Sequence, residues 1–466
     1  MHICKKVQNP PGQKSEKEVA AVSDVKFSPR LFHCSTFLLS GSTLHLRPSR
    51  LPARRLIVPV VPVNAQRTQE LTWRTIIVIL LVAVLMFGSG YLAFMKLTTT
   101  EPEPPKPEVR GIFFYMYEFP ERNTPKNLTA FVEKAYNAGF NVILPFVIHA
   151  GGLADYRSKV VPNDEAYLGH FPLDVDPLKV VVQEAHRRGI KVWAWAVGFR
   201  TSRNVIEEHP DWGIVNDQGI DQSRGSLSAS GYYYLSPASP GAREYIKSYI
   251  VELVTEYEVD GINLEDDFGF PQGVEADYGP SARTSFEGYL GRKVDRWPDD
   301  VVDGGPLRTK FQAWRSYVVT EFLEEIKTSV KAVNPSIVLS ADVPRNGQWA
   351  MSAMGVDWFE WVKRDLVDVA CPMLYHRDGA LQFPIVWVKD QTIEMASVVR
   401  ERSPRVKLMP CVGGAILYTK DMPGWEWVEA VKNAMRGGAK GVLVFADVCV
   451  DAARAWGDLE GYLTKE

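Results

Sequence analysis

The chain has 466 residues, 46% hydrophobic and 23% charged, a globular composition that fits one large domain with extensions or two ordinary domains. A net charge of −3 leaves no basic footprint, which excludes nucleic acid as an expected partner. Five cysteines with no C-x-x-C spacing argue against a zinc site and a disulfide framework, so Cys371, Cys411 and Cys449 read as small buried hydrophobes.

Residues 1–72 carry no sustained helical or strand period and are rich in Ser, Pro, Arg and Lys, which predicts a disordered cytoplasmic segment. Residues 73–98 read as a single transmembrane signal-anchor helix. Thr75 to Met95 is uncharged and mostly apolar, and about 20 such residues span a bilayer. Trp73 and Tyr91 sit near its ends, where amphipathic rings favour the interface. Arg54, Arg55, Arg67 and Arg74 precede it, so the positive-inside bias places the N-terminus in the cytoplasm and the larger part in the periplasm or outside the cell. The stretch is too long, and too far from Met1, for a cleaved signal peptide. Residues 99–108 contain a Pro/Glu run, Glu101-Pro102-Glu103-Pro104-Pro105-Lys106-Pro107-Glu108, expected to act as a semi-rigid spacer.

From residue 109 to 466 a short β-branched or aromatic run, a loop and an amphipathic stretch recur eight times. The strands read as 109–116, 140–147, 190–197, 259–265, 336–342, 367–374, 405–412 and 440–446. Helices are expected at 126–138, 177–188, 241–257, 311–332, 385–401 and 425–435. Gly139, Gly189 and the Gly437-Gly438 pair each stand where a helix must stop before the next strand. Strands separated by helices imply a parallel sheet, and eight units imply a closed (β/α)8 TIM barrel. No G-x-G-x-x-G follows the first strand, which weakens a dinucleotide-binding alternative. The longest excursions follow strands two, three and four, on one face, where they are expected to build a cleft.

The most informative stretch is Val259-Asp260-Gly261-Ile262-Asn263-Leu264-Glu265-Asp266-Asp267. It reads as a buried strand running into three carboxylates. Adjacent acids repel, so the arrangement makes sense where a pocket needs carboxylates in different protonation states. A solvated acidic turn or a calcium loop is the competing reading. Glu265 and Asp266 are therefore candidate catalytic residues, with Asp342 at the end of strand five as a third; an N-cap role is the alternative for Asp342. Such carboxylates can flank a glycosidic bond, one protonating the leaving oxygen while another attacks the anomeric carbon or activates water. His149, Trp195, Arg200, Asn263, Asp267, Tyr375 and Asp447 are candidate substrate-binding residues at strand ends, the aromatics by stacking on sugar faces. Trp193, one layer deeper, is expected to pack, and His186 to be structural. The absence of H-E-x-x-H, G-x-S-x-G and P-loop motifs gives metalloprotease, esterase and NTPase readings no support, and neither metal nor cofactor is expected.

These residues fall into an order that resembles the glycosyl-hydrolase-like ten family of bacterial envelope proteins. The resemblance rests on Arg110-Gly111-Ile112-Phe113, Gly139-Phe140-Asn141-Val142, Asp176-Pro177-Leu178 and Glu184-Ala185-His186-Arg187-Arg188-Gly189. It continues through Trp193-Ala194-Trp195, His209-Pro210-Asp211-Trp212, Leu235-Ser236-Pro237 and Tyr257-Glu258-Val259-Asp260-Gly261-Ile262. The family implies a β/α barrel that acts on or binds cell-envelope glycan, peptidoglycan above all. Its usual strand-four ending is D-G-I-x-F-D-D-Y; here Glu265 stands at the first of the paired Asp positions and Asp267 at the Tyr. Asp342 is an inference from the residues, without support from the family.

The expectation is a membrane-anchored glycoside hydrolase acting on an envelope polysaccharide. A non-catalytic glycan-binding barrel that tethers an envelope complex is the rival. A metal-dependent deacetylase using Glu265, Asp266, Asp267 and His149 is a third reading.

Overall fold

All eight expected strands form. In the computed structural model, which describes residues 102–117, 122–378, 381–414, 419 and 421–464, they are β1 (Val109–Phe114), β2 (Val142–Ile148), β3 (Lys191–Ala196), β4 (Gly261–Leu264), β5 (Val338–Val343), β6 (Val369–Pro372), β7 (Lys407–Leu408 and Cys411–Gly413) and β8 (Gly441–Phe445). Continuous burial explains their sequences. All seven residues of β2 and all four of β4 are buried, as expected of parallel strands covered on both faces.

Every pairing in this sheet is parallel, and its order runs from the first segment of β7 through β6, β5, β4, β3, β2, β1 and β8 to the second segment of β7. The two end segments are separated in the chain by Met409 and Pro410 alone. The Met409 N–H donates to Ala370 O of β6, and the Leu443 N–H of β8 donates to Pro410 O. The sheet therefore curls round on β7, and with its intervening helices it fits the expected barrel.

The main helices begin and end where their residues dictate. Thr124, Asp176 and Ser239 cap Pro125–Asn137, Pro177–Arg187 and Pro240–Glu256, each with Pro in the first turn. Gly139 and Gly189 follow the first two with φ of 86° and 71°, a backbone region that other residues enter at a cost. Sequence periodicity missed Pro280–Leu290, in the long excursion after β4, and Gly347–Met354 and Trp358–Lys363, between β5 and β6.

The single-pass membrane placement expected from residues 73–98 is corrected. No helix among the described residues is long and apolar enough to cross a membrane. The longest, Arg308–Val333, carries Arg, Lys and Glu along its length. The Thr75 to Met95 stretch and the 1–72 segment lie outside the described residues. The membrane partner and the periplasmic or extracellular location fall with that placement. Residues 102–107 of the expected spacer form neither helix nor strand and pack on the domain. Pro104 and Pro107 are buried, and Glu103 lies 3.0 Å from Lys432 Nζ.

The excursions after β3 and β4 join into one wall over the C-terminal end of the sheet. Ile214, Tyr234 and Ala276 form a small core with Leu227, Tyr232 and Val274. Asp277, fully buried, ties the two loops by accepting from Val215 N–H (2.9 Å) and Ser236 Oγ (2.5 Å).

Candidate active site

The inside of the curled sheet divides into an aromatic half and a polar half. On the aromatic side, Trp195 stacks on Phe146 (centroids 3.8 Å apart), and Phe113, Tyr115 and Phe445 meet it edge-on. Trp195 is only 2% exposed, so its faces are closed to a sugar; it packs, as Trp193 does. Strand register carries the line of Trp195 to Asn263 on β4 and on to Ser340 on β5. There the polar half begins. Asn263 Nδ2 donates to Ser340 Oγ (3.0 Å) and to Asp342 Oδ1 (3.3 Å), and Cys411 Sγ donates to the same carboxyl oxygen (3.4 Å).

Three acids leave β4 in three different environments. Glu265 is 5% exposed and Asp267 4%, which removes the solvated-turn reading. Asp267 is fully engaged by backbone: Gly198 N–H donates to Oδ1 (2.6 Å) and Arg200 N–H to Oδ2 (2.8 Å). It holds the loop after β3 in place, and at 4% exposure it is closed to a substrate. Replacing it with Ala strands two buried N–H groups and deprives Arg200 of a counter-charge. We expect a loss of about 3 kcal/mol, read as a lowered urea midpoint with an unchanged slope.

A side-chain hydrogen bond couples Glu265 and Asp266. Burial raises both above the usual carboxylate range; the shared bond then raises Asp266 further and lowers Glu265. Glu265 also accepts from Asp267 N–H (3.0 Å). Arg200 lies 3.5 Å from Glu265, 3.8 Å from Asp266 and 3.8 Å from Asp267. Burial opposes its charge, but the Glu265 and Asp267 charges outweigh burial and keep it protonated. Asp266 alone of the three remains open, with 31% of its side chain exposed.

Asp342, on the adjacent strand, is 8% exposed, and burial pushes it up to about 8 against the bonds from Asn263 and Cys411. The Asp266 charge adds to the shift, which places Asp266 within electrostatic reach of Asp342. Cys411 was read as a plain buried residue. Burial raises its thiol well above the normal value, which keeps the proton that it donates to Asp342.

The remaining candidates are dispersed. Asp447 is fully buried, paired with Arg122 (2.5 Å) and accepting from Tyr115 N–H (3.2 Å), so it clamps β8 to β1 and is closed to a substrate. Tyr375 is 8% exposed, its ring 5.2 Å from Phe445 at the mouth of the barrel. His149 stacks on Tyr117 (4.4 Å) and lies 3.4 Å from Asp164. With Asp155 and Asp164 it forms the one group among the described residues, with donor atoms within 4.8 Å, whose types and spacing suit a cation. Nδ1 accepts from Gly151 N–H (3.0 Å), which leaves the ring proton on Nε2, the atom facing Asp164. The deacetylase set of Glu265, Asp266, Asp267 and His149 is not brought together. A cleft at the opposite, N-terminal end of the barrel is lined by Trp193, Lys191 and Asp260. Asp260 is held there by Lys191, His186 and Val192 N–H.

With the geometry established, known proteins give the family. Glycosyl hydrolase DigH of Escherichia coli (strain K12) is 26% identical over 259 residues, 51% of this chain and 55% of DigH. Glycosyl hydrolase YngK of Bacillus subtilis (strain 168) is 22% identical over 256 residues, 49% of this chain and 43% of YngK. The chain thus spans about half the length of these relatives. Among solved structures, the PgaB (BpsB) glycoside hydrolase domain from Bordetella bronchiseptica aligns at a TM-score of 0.58 and 15% identity, covering 78% of this chain and 100% of that one. The β-galactosidase from Marinomonas ef1 aligns at 0.53 and 12% identity, covering 76% and 59%. Likeness at that identity establishes the fold alone. Residues 108–399 match the family described as Glycosyl hydrolase-like 10, and the chain belongs to that family.

Proposed function

We propose that the chain hydrolyses O-glycosidic bonds of a cell-envelope glycan such as peptidoglycan strands, from a closed (β/α)8 barrel. The observation that carries this is the placement of carboxyls in different environments at neighbouring strand ends. Burial raises Asp342 on β5 to about 8, while the hydrogen-bonded Glu265–Asp266 pair on β4 lies beside the Arg200 guanidinium; in this reading the pair shares one proton and holds one negative charge. A glycosidase needs one carboxyl of each kind.

In this reading Asp342 is the general acid. Asn263 and Cys411 bond Oδ1, so Oδ2 carries the proton that passes to the leaving glycosidic oxygen as its bond to the anomeric carbon breaks. Asp266, the exposed member of the pair, acts on the other side as a carboxylate once the shared proton passes to Glu265. It attacks the anomeric carbon or takes a proton from the attacking water. Glu265 and Arg200 position Asp266, and Asp267 positions Arg200.

The test incubates the full chain with peptidoglycan stripped of stem peptides and measures new reducing ends, with Glu265→Gln alongside. Release by the wild type alone is expected. Binding of the glycan without release from either protein would assign the barrel to the non-catalytic tethering reading instead.

A further inference from the structure

Among the arginines that follow the barrel strands, Arg122, Arg200 and Arg377 are engaged by carboxylates. Arg122 pairs with Asp447, Arg200 lies among three acids, and Arg377 grips Glu426 with two bonds of 2.7 and 2.6 Å. Arg345 differs. It leaves β5 three residues beyond Asp342, so the two Cα atoms are within about 11 Å. Its guanidinium lies over two rings, 5.0 Å from Phe383 and 5.4 Å from Trp387. Those rings stack on each other at 4.3 Å and 12°. Phe383 is fixed by its N–H to His376 O (2.9 Å), and Trp387 opens the helix Trp387–Arg402. The only carboxylate within 4.0 Å among the described residues is Asp378, at 4.0 Å, too long for a hydrogen bond. The side chain is 32% exposed. An arginine is thus packed against an aromatic pair at the rim of the cleft, partly exposed and with no hydrogen-bonded carboxylate among the described residues.

We propose that Arg345 is a specificity-determining residue that takes the carboxylate of an acidic sugar in the subsite beside Asp342. This rests on the glycan-hydrolase reading of the site and adds the charge of the sugar to it. A planar guanidinium already packed against two rings loses little freedom on binding, and its fork matches a carboxylate bidentately. The surrounding charge gives direction. Arg200 is already surrounded by Glu265, Asp266 and Asp267, whereas among the described residues Arg345 has only Asp378 near it, so Arg345 is the guanidinium best placed to receive an anionic group. A neutral glycan leaves that fork in water and gains nothing from it.

The experiment measures binding calorimetrically on the full chain and, to prevent turnover, on its Glu265→Gln variant. The matched probes are a β-1,4 tetrasaccharide containing N-acetylmuramate and chitotetraose, which shares its backbone but lacks the lactyl carboxylate. A glycerol phosphate oligomer is the third arm. The acidic tetrasaccharide should bind about tenfold or more tighter than chitotetraose, and Arg345→Gln should erase that difference while leaving chitotetraose affinity unchanged. Arg345→Lys should restore only part of it, because the ammonium lacks the fork. Equal affinity for the matched pair, no binding of the acidic glycan, or a preference that survives Arg345→Gln overturns the proposal. Tighter binding of the phosphate oligomer overturns it in favour of a phosphate site. An Arg345-dependent preference without hydrolysis removes the hydrolase reading alone, and hydrolysis without acid preference removes the Arg345 proposal alone.

Discussion

Glu265→Gln and Asp266→Asn each lower kcat on the envelope glycan by about a thousandfold or more, while the folded state survives. The size follows from their shared proton. Either amide replaces one half of a carboxyl pair whose single negative charge is what Arg200 holds against the reacting carbon. Removing a general base or nucleophile typically costs 10² to 10⁴ or more in rate. Stability moves little, for separate reasons at the two positions. Asp266→Asn sits at a partly exposed side chain and keeps an N–H to donate to Glu265 in place of the shared proton. Glu265→Gln keeps an oxygen to accept from Asp267 N–H, and Arg200 keeps Asp267 as counter-charge. The double variant should lose scarcely more activity than either single one, because the two groups act as a unit. Losses that multiply in the double variant would mean two independent roles and would remove the shared-proton account. The comparison needs only initial rates of reducing-end release and a thermal melt of each variant.

How far the sequence announced this site depends on the kind of information each residue carries. Strand positions were legible because a parallel sheet covered on both faces writes itself as unbroken apolar runs, as in β2, with glycine at the helix ends. The acidic run at Glu265 was legible because three carboxylates at a strand end conflict with packing, and such conflict marks function. What each carboxylate does was not legible. Asp267 and Asp447 look like cleft residues in one dimension. Only the fold reveals that Gly198 and Arg200 N–H groups consume the first and that Arg122 consumes the second. Trp195 was misassigned for a related reason. Strand alternation puts it inside the barrel, but its depth depends on ring stacking with Phe146 and Phe113, residues about 50 and 80 positions away in the chain. Cys411 and Arg345 carried no local signal. One acquires meaning from Asp342 across the barrel and the other from a stack of rings contributed by the loop after β6.

Asp342→Asn separates catalysis from stability most sharply. The natural glycan needs a proton on its leaving oxygen, and the amide has none to give. Its turnover should fall by 10² to 10⁴, whereas an aryl glycoside with a good leaving group, which departs unassisted, should retain most of its rate. In the wild type, activity requires the protonated acid and therefore declines as pH rises through about 8. The same burial has an opposite consequence for folding. Asp342 holds its proton in the folded state to about pH 8 but releases it near 3.8 when unfolded, so the folded state binds more protons throughout that window. Stability is then lost as pH rises, at about 1.4 kcal/mol per unit in the limit of a single group. The asparagine is isosteric with the neutral acid and does not titrate. The variant should match the wild type near pH 4 and exceed it by a few kcal/mol at pH 8, seen as a higher melting temperature that widens with pH. A variant that is inactive yet no more stable at pH 8 would show that Asp342 is ionised in the resting protein. The acid would then fall to the Glu265–Asp266 pair, through its exposed member Asp266, whose bond to Glu265 favours its protonated form. The pH dependence of melting thus identifies the proton donor without any assumption about the sugar.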